Sequence, residues 1–119
     1  MVSRLAAFAG CSLRAHLRSA LIPALLLAAP ALADEPLHLV IRDHKFVPER
    51  LEAPAGVKFK LLVKNEGDSA SEFESFELNR EKVVNAGQEI TVFLGPLDPG
   101  EYKFIDDFHQ ETKGTLVAK

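Results

Sequence analysis

Sulfur is nearly absent from this chain of 119 residues, which contains one cysteine, Cys11, and one methionine, Met1. A disulfide within the chain needs two thiols and is therefore excluded. Basic residues are outnumbered, with 14 Lys and Arg against 17 Asp and Glu. Binding to DNA or RNA depends on Lys and Arg contacts to phosphates, so this balance predicts no nucleic-acid partner. It is compatible with cation binding.

Long apolar runs are also missing, because the longest one, residues 20–32, is interrupted by two prolines. It is shorter than the roughly 20 apolar residues that a membrane-spanning helix needs. Arginines before the run and Ala31-Leu32-Ala33 at its end are typical of a secretory signal peptide. We predict that residues 1–33 are this peptide and that residues 34–119 are one domain exported to the periplasm; an uncleaved anchor is the alternative. Both sulfur-containing residues leave with the peptide, and the remaining 11 basic and 17 acidic residues give a formal charge of −6.

Hydrophobic residues in the exported part alternate with polar ones at a period of two, which is the pattern of half-buried strands. Turns rich in Gly, Pro, Asn and Asp separate these segments. About seven short strands fit, which predicts an all-β, antiparallel sandwich, and a short helical turn is allowed at residues 80–84. The clearest strand segments are Leu37–Ile41, Val57–Val63, Ile90–Leu94 and Tyr102–Phe104.

Two acidic clusters offer ligands for a cation. The first has the sequence Glu-Phe-Glu-Ser-Phe-Glu and begins at Glu72. Strand alternation places Glu72 and Glu74 on the same face as Phe76 and Leu78. If that face is the core, the two carboxylates lie at its rim, where a cation would offset the cost of burying them. The alternative is that the strand twists and both reach water; Glu77 is a secondary candidate.

The second cluster follows the strand that contains Tyr102 and Phe104. Asp106 continues the core-facing row of that strand, and His109 follows three residues later in a loop. A carboxylate and an imidazole so spaced can turn toward one ion, and a solvated turn is the alternative. Secondary candidates in this cluster and in a separate loop are Asp107, Glu111, Asp43 and His44.

Four motifs are similar to those of the cupredoxin family: Val40–Pro48, Asn65-x-Gly67, Pro99–Phe104 and Lys113–Val117. The resemblance covers nearly all of the exported part and implies a Greek-key β-sandwich with a metal site at one end. In blue-copper members, the strand that begins at the position of Tyr102 ends in a cysteine, followed by a histidine and a methionine.

The sequence departs from that pattern at the metal ligands. Asp106 stands at the cysteine position, His109 keeps the histidine, and Thr112 replaces the methionine. The first histidine of the family falls on Glu74, or on Glu72 if the strand bulges. The resemblance therefore implies a site of carboxylates and imidazole, which suits Cu(II), iron or Mn and is poor for Cu(I).

Together the two clusters look like the cupredoxin-like periplasmic components of bacterial high-affinity iron uptake. Those components work with an oxidase-dependent ferric permease. The function implied is to bind a copper or iron ion and to assist the oxidation of ferrous iron or its delivery to a membrane permease. A periplasmic copper-buffering protein and a metal-free interaction module are the alternatives.

Overall fold

The structure is a computed structural model that describes residues 35–119 and the isolated positions 3 and 10. The predicted signal peptide therefore lies, apart from those two positions, outside the described residues. No helix in the described part of the chain is long and apolar enough to cross a membrane. Its regular elements are nine strands: β1 (Leu37–Arg42), β2 (Lys45–Val47), β3 (Arg50–Ala53), β4 (Phe59–Asn65), β5 (Ser71–Ser75), β6 (Arg80–Val84), β7 (Glu89–Leu94), β8 (Gly100–Asp106) and β9 (His109–Ala118).

The strands form two sheets that pack face to face. One has four strands in the order β2-β1-β4-β7, and the other has five in the order β3-β9-β8-β5-β6. Each sheet contains one parallel pair, β1 with β4 and β3 with β9. The prediction of an all-β sandwich is confirmed, but an entirely antiparallel arrangement is wrong. The reason is that β3 crosses to the other sheet, so that β4 re-enters the first sheet in the direction of β1.

The number of strands and the structure of residues 80–84 also differ from the prediction. There are nine strands instead of about seven, because the stretch after β1 divides into β2 and β3, which belong to different sheets. Residues 80–84 are strand β6 and not a helical turn, since each of them pairs with a residue of β5.

The core lies between the sheets and is built from the inward-facing residues of the alternating strands. Phe104 of β8 is at its centre, in edge contact with Phe46 at 4.9 Å and tilted against Phe73 at 5.3 Å between ring centroids. Such aromatic pairs add to the free energy gained from burying their area. The other large apolar side chains that are fully enclosed are Phe59, Leu39, Leu61, Val63, Val84 and Leu116.

Strand β5 presents the opposite face to the one predicted. Phe73 is fully buried, so Glu72 and Glu74 on either side of it point to the outer face of the sheet, where Glu72 is only 8% exposed and Glu74 is half-buried. Phe76 lies beyond the strand in a turn and is 82% exposed, whereas Leu78 in the same turn is buried. The prediction that the two carboxylates share a core-side face with Phe76 is therefore wrong. A shift of one residue in the inward-facing set exchanges the faces of the whole strand.

Three connections meet at one end of the sandwich. They are the β1–β2 turn at residues 43–44, the β4–β5 loop at residues 66–70 and the β8–β9 turn at residues 107–108. Backbone hydrogen bonds hold them together, from Glu66 N to Ile41 O at 2.9 Å and from Asp107 N to Glu72 O at 2.9 Å. This end brings together side chains from distant parts of the sequence.

Candidate metal centre

His109 and Asp106 form the centre of the candidate site. They pair across the two-residue turn between β8 and β9. His109 Nδ1 lies 3.0 Å from Asp106 Oδ2. The Asp106 side chain is 1% exposed and the His109 side chain is 24% exposed. The pair thus joins a buried carboxylate to an imidazole that reaches the surface.

Asp106 is held as a buried anion by several hydrogen bonds. Its Oδ1 accepts the backbone N–H of Glu72 at 3.0 Å and that of Phe108 at 3.1 Å. Burial by itself would raise the pKa of Asp106. Hydrogen bonds from the Ser71 side chain, from the two backbone N–H groups and from His109 outweigh burial, so the pKa lies below its ordinary value. Because the ionised carboxylate can only accept, the facing Nδ1 of His109 carries the proton.

This arrangement leaves Nε2 as the ring nitrogen of His109 with a free lone pair. A carboxylate has about four acceptor positions, and Asp106 uses its oxygens on four partners. Metal-binding histidines commonly donate their second N–H to a carboxylate in this way, which fixes the tautomer and the orientation of the ring. The structure therefore brings Asp106 and His109 together, with the carboxylate beside Nδ1 of the ring.

A strained turn brings His44 to the same place. Asp43 and His44 form the β1–β2 turn with φ angles of 51° and 57°. A left-handed residue that is not glycine costs of the order of 1 kcal/mol, and such strain often marks a functional position. Thr112 holds the turn by donating its hydroxyl to the backbone carbonyl of His44 at 2.6 Å. The rings of His44 and His109 lie 5.0 Å apart between centroids at a tilt of 50°.

A cleft of about 310 Å³ opens beside this histidine pair. Its floor includes Ser71, which is 3% exposed, and Asn65, which is fully buried. Asn65 shapes the β4–β5 loop, since its amide donates to Ser69 O at 2.8 Å and to Val84 O at 3.0 Å, and its Oδ1 accepts from Gly67 N at 2.9 Å. The remaining lining residues are Ile41, Asp43, His44, Glu66, Gly67, Asp68, Ser69 and His109.

Glu72, Glu74 and Asp107 form a separate group on the outer face of the five-stranded sheet, together with Glu81. Glu74 pairs with Glu81 across strands β5 and β6. A side-chain hydrogen bond to Glu81, then burial, then the neighbouring negative charges raise the pKa of Glu72 to about 7. Burial, followed by the charge of Asp107, also raises the pKa of Glu74. These carboxylates repel one another and do not converge with His109.

Two secondary candidates lie outside the cleft of about 310 Å³. Glu77 is in the turn after β5, at the far end of that strand from Ser71, and accepts the backbone N–H of Lys103 at 2.9 Å. Glu111 is exposed on β9 and lines a second cleft, which Asp43 and His44 also line. In the part of the chain that the structure describes, no group of three or more His, Cys, Asp or Glu side chains is close enough to enclose a metal ion. The candidate site is therefore an open histidine pair.

Three residues that make contacts in or near the candidate site were not predicted from the sequence. Ser71 would have been found by taking Phe73 as the core residue of β5, because alternation then turns residue 71 inward as well. Thr112 was recognised only as a replaced methionine, and its bond to His44 joins residues 68 positions apart. Glu81 lies in the stretch for which the sequence allowed a helical turn, so its pairing with Glu74 was not anticipated.

Comparison with known proteins identifies the fold. A family model described as a cupredoxin-like domain matches residues 15–118. The chain belongs to this cupredoxin-like family. Amicyanin from Paracoccus versutus has a similar fold, with a TM-score of 0.59 at 13% identity, covering 73% of this chain and 84% of amicyanin. A purple cupredoxin from Nitrosopumilus maritimus gives a TM-score of 0.56 at 17% identity over 70% of this chain and 99% of that one.

A closer sequence relative is an uncharacterized protein from Rickettsia prowazekii (strain Madrid E). It is 46% identical over 81 residues, which is 67% of this chain and 65% of the relative. The match thus spans just under two thirds of the relative's length. The structural neighbours support the cupredoxin fold, and the identity with them is too low to transfer a binding site.

The residues of this cupredoxin-like domain do not fit a blue-copper centre. Such a centre needs a cysteine thiolate with two histidines and a weak axial ligand. Residues 34–119 contain neither cysteine nor methionine. The position that the resemblance assigns to the cysteine is filled by Asp106, whose acceptor positions are taken by hydrogen bonds within the protein. A two-histidine site for an ion that accepts nitrogen and oxygen ligands fits the residues present.

Proposed function

We propose that this cupredoxin-like protein is exported to the periplasm and binds Cu(II) through the imidazoles of His109 and His44. The observation that carries the proposal is the buried Asp106 carboxylate 3.0 Å from His109 Nδ1, with the His44 ring 5.0 Å away. Asp106 fixes the tautomer in which Nε2 of His109 is free to bind. Its negative charge, unpaired with any Lys or Arg among residues 35–119, also favours a cation at the imidazole.

The type of donor decides which ions are expected. Imidazole suits Cu(II), and Cu(II) has the highest affinity of the divalent first-row ions for nitrogen and oxygen donors. Cu(I) prefers sulfur, which residues 34–119 lack. Strong blue thiolate absorption is therefore not expected from the copper-loaded protein. The resulting site would store or carry Cu(II) with open positions for water or for a partner's ligand.

We further propose that the protein takes part in iron uptake. It is supported by the resemblance of the two acidic clusters to periplasmic iron-uptake components, and by the outer-face carboxylates Glu72, Glu74, Glu81 and Asp107. Carboxylate oxygens are hard donors and favour Fe(III) over Fe(II). In this proposal, Fe(II) would be received at the carboxylates, or would give one electron to bound Cu(II), which as Cu(I) would pass the electron on to a membrane oxidase; the iron would then pass to an iron permease in the membrane.

Titration with Cu(II) tests the binding proposal directly. Replacement of His109 or His44 by alanine is expected to weaken binding at least tenfold, because each removes one of two imidazole donors. His38 provides a matched control, since it is an exposed histidine on β1 that lies outside the cleft. Equal Cu(II) affinities of H38A, H44A, H109A and the wild type would refute the histidine-pair site, and no Cu(II) binding by any of the four would favour the metal-free interaction module.

Growth on limiting Fe(II) tests the iron role. A strain that lacks this protein is expected to grow poorly under these conditions, and H109A is expected to fail to restore growth while H38A restores it. Normal growth without the protein, combined with Cu(II) binding in vitro, would leave a periplasmic copper-buffering protein as the function.

A further inference from the structure

Acidic side chains line the cleft beside the histidine pair. Three carboxylates, those of Asp43, Glu66 and Asp68, line the cleft beside the two histidines. No lysine or arginine of residues 35–119 lines it. The nearest lysine in sequence, Lys45, lines the second cleft, which shares Asp43 and His44 with this one. The cleft therefore places negatively charged side chains beside a pair of imidazoles.

The three carboxylates are not equivalent. The charge of Glu66 is partly neutralised by Arg42. Its Oε2 accepts a hydrogen bond from Nε of Arg42 at 2.8 Å and lies 2.8 Å from Nη2 of the same side chain. Asp43 and Asp68 are exposed and take part in no salt bridge among the described residues. Asp43 is fixed next to His44 by the turn, and Asp68 is in the loop shaped by Asn65. These two side chains carry the uncompensated negative charge at the entrance.

A cleft lined by charges of one sign concentrates ions of the other sign and repels ions of its own sign. We propose that the cleft loads copper as the free, aquated Cu(II) ion and excludes copper held in an anionic chelate, with Asp43 and Asp68 as the residues that make this selection. This inference rests on the proposed histidine site. It implies that a preceding step, which releases the ion from any anionic carrier, must supply the metal.

The rate of loading can separate the free ion from the chelate. Cu(II) loading is followed by stopped-flow absorbance in citrate buffers in which total Cu(II)–citrate rises while free Cu(II) is held constant. For the wild type the loading rate is expected to stay constant across the series. A rate that increases with the concentration of the chelate would overturn the proposal, because it would show that the anionic complex itself docks in the cleft.

Variants assign the selection to the two aspartates. In D43N/D68N the rate of loading from free Cu(II) at low salt is expected to fall about fivefold, with the difference nearly lost at high salt, because steering by charge is screened. Asparagine tolerates the left-handed backbone at position 43, so the turn is preserved. In D43N/D68K, loading is expected to become dependent on the chelate concentration. E52Q on β3, outside the cleft, serves as the matched control and should load at the wild-type rate.

Failure of this inference can be told apart from failure of the histidine site. If H109A abolishes loading while D43N/D68N loads at the wild-type rate at low salt, the site stands and the selection by charge is refuted. If H109A loads as well as the wild type, the histidine site itself is refuted.

Discussion

Replacement of Asp106 should affect both the stability of the fold and the metal site, and the two effects can be calculated separately. In D106A the backbone N–H groups of Glu72 and Phe108 lose their acceptor. Each buried donor left unpaired costs about 1–3 kcal/mol. The expected loss is therefore about 2–6 kcal/mol, a large part of the roughly 5–15 kcal/mol that stabilises a typical domain. D106A is expected to unfold at a much lower urea concentration than the wild type.

The isosteric variant D106N isolates the role of the charge. Its side-chain oxygen can still accept the two backbone N–H groups, so the fold is retained. The hydrogen bonds from these two backbone N–H groups are then made to a neutral group, and each loses about 0.5–1 kcal/mol, giving a total of about 1–2 kcal/mol. The amide nitrogen now faces His109 Nδ1 and donates to it, which moves the ring proton to Nε2. We expect Cu(II) affinity to fall at least tenfold.

Urea unfolding followed by circular dichroism measures the loss of stability, and equilibrium dialysis measures Cu(II) binding. The Asp106 carboxylate has a lowered pKa in the folded state. Its contribution to stability is therefore present above pH 4 and is lost as pH falls below the ordinary value, so the difference between D106N and the wild type should shrink at low pH. If D106N equals the wild type in stability and in Cu(II) affinity at pH 7, the assigned role of Asp106 is wrong.

Three other replacements have definite expected outcomes. T112V removes the hydroxyl that holds the His44 carbonyl and should weaken Cu(II) binding several-fold by dialysis, and unchanged affinity would show that the turn is held without it. E72Q removes a carboxyl whose pKa is raised to about 7, so the fall in wild-type stability between about pH 4.5 and pH 7 should be reduced in thermal melts; an unchanged slope would contradict the raised pKa. G114A would place its methyl group 2.3 Å from the Phe104 ring and should cost about 1–3 kcal/mol in urea unfolding, whereas a neutral effect would refute close packing there.

The fold class was predictable because alternation of polar and apolar residues is a local property. The inward-facing residues of β1, β4 and β7 follow directly from it. The approach of Asp106 to His109 was also local, since the two residues are three positions apart on either side of a tight turn. The parallel strand pairs could not be inferred in this way, because they depend on which sheet each strand joins.

The faces of β5 were assigned wrongly because the strand offers two apolar residues of opposite parity. Phe73 and Phe76 cannot both face the core from one strand, and the sequence does not say which of them is buried. The structure buries Phe73 and leaves Phe76 in a turn. As a result Glu72 and Glu74 face outward, away from His109.

The importance of His44 depends on a contact that no local pattern reveals. The residue is 65 positions from His109 in sequence, and its position is set by the left-handed turn and by Thr112 on β9. At the sequence level it was one of several secondary candidates. The sandwich brings it to the end at which β9 begins.

The most direct test of the account is to count the imidazoles bound to Cu(II) by pulsed electron paramagnetic resonance of the remote ring nitrogens. The wild-type protein and H38A are expected to give the spectrum of two imidazoles, and H44A and H109A the spectrum of one. A copper spectrum that shows only oxygen ligands in the wild type, or that is identical in all four proteins, would contradict the histidine-pair site.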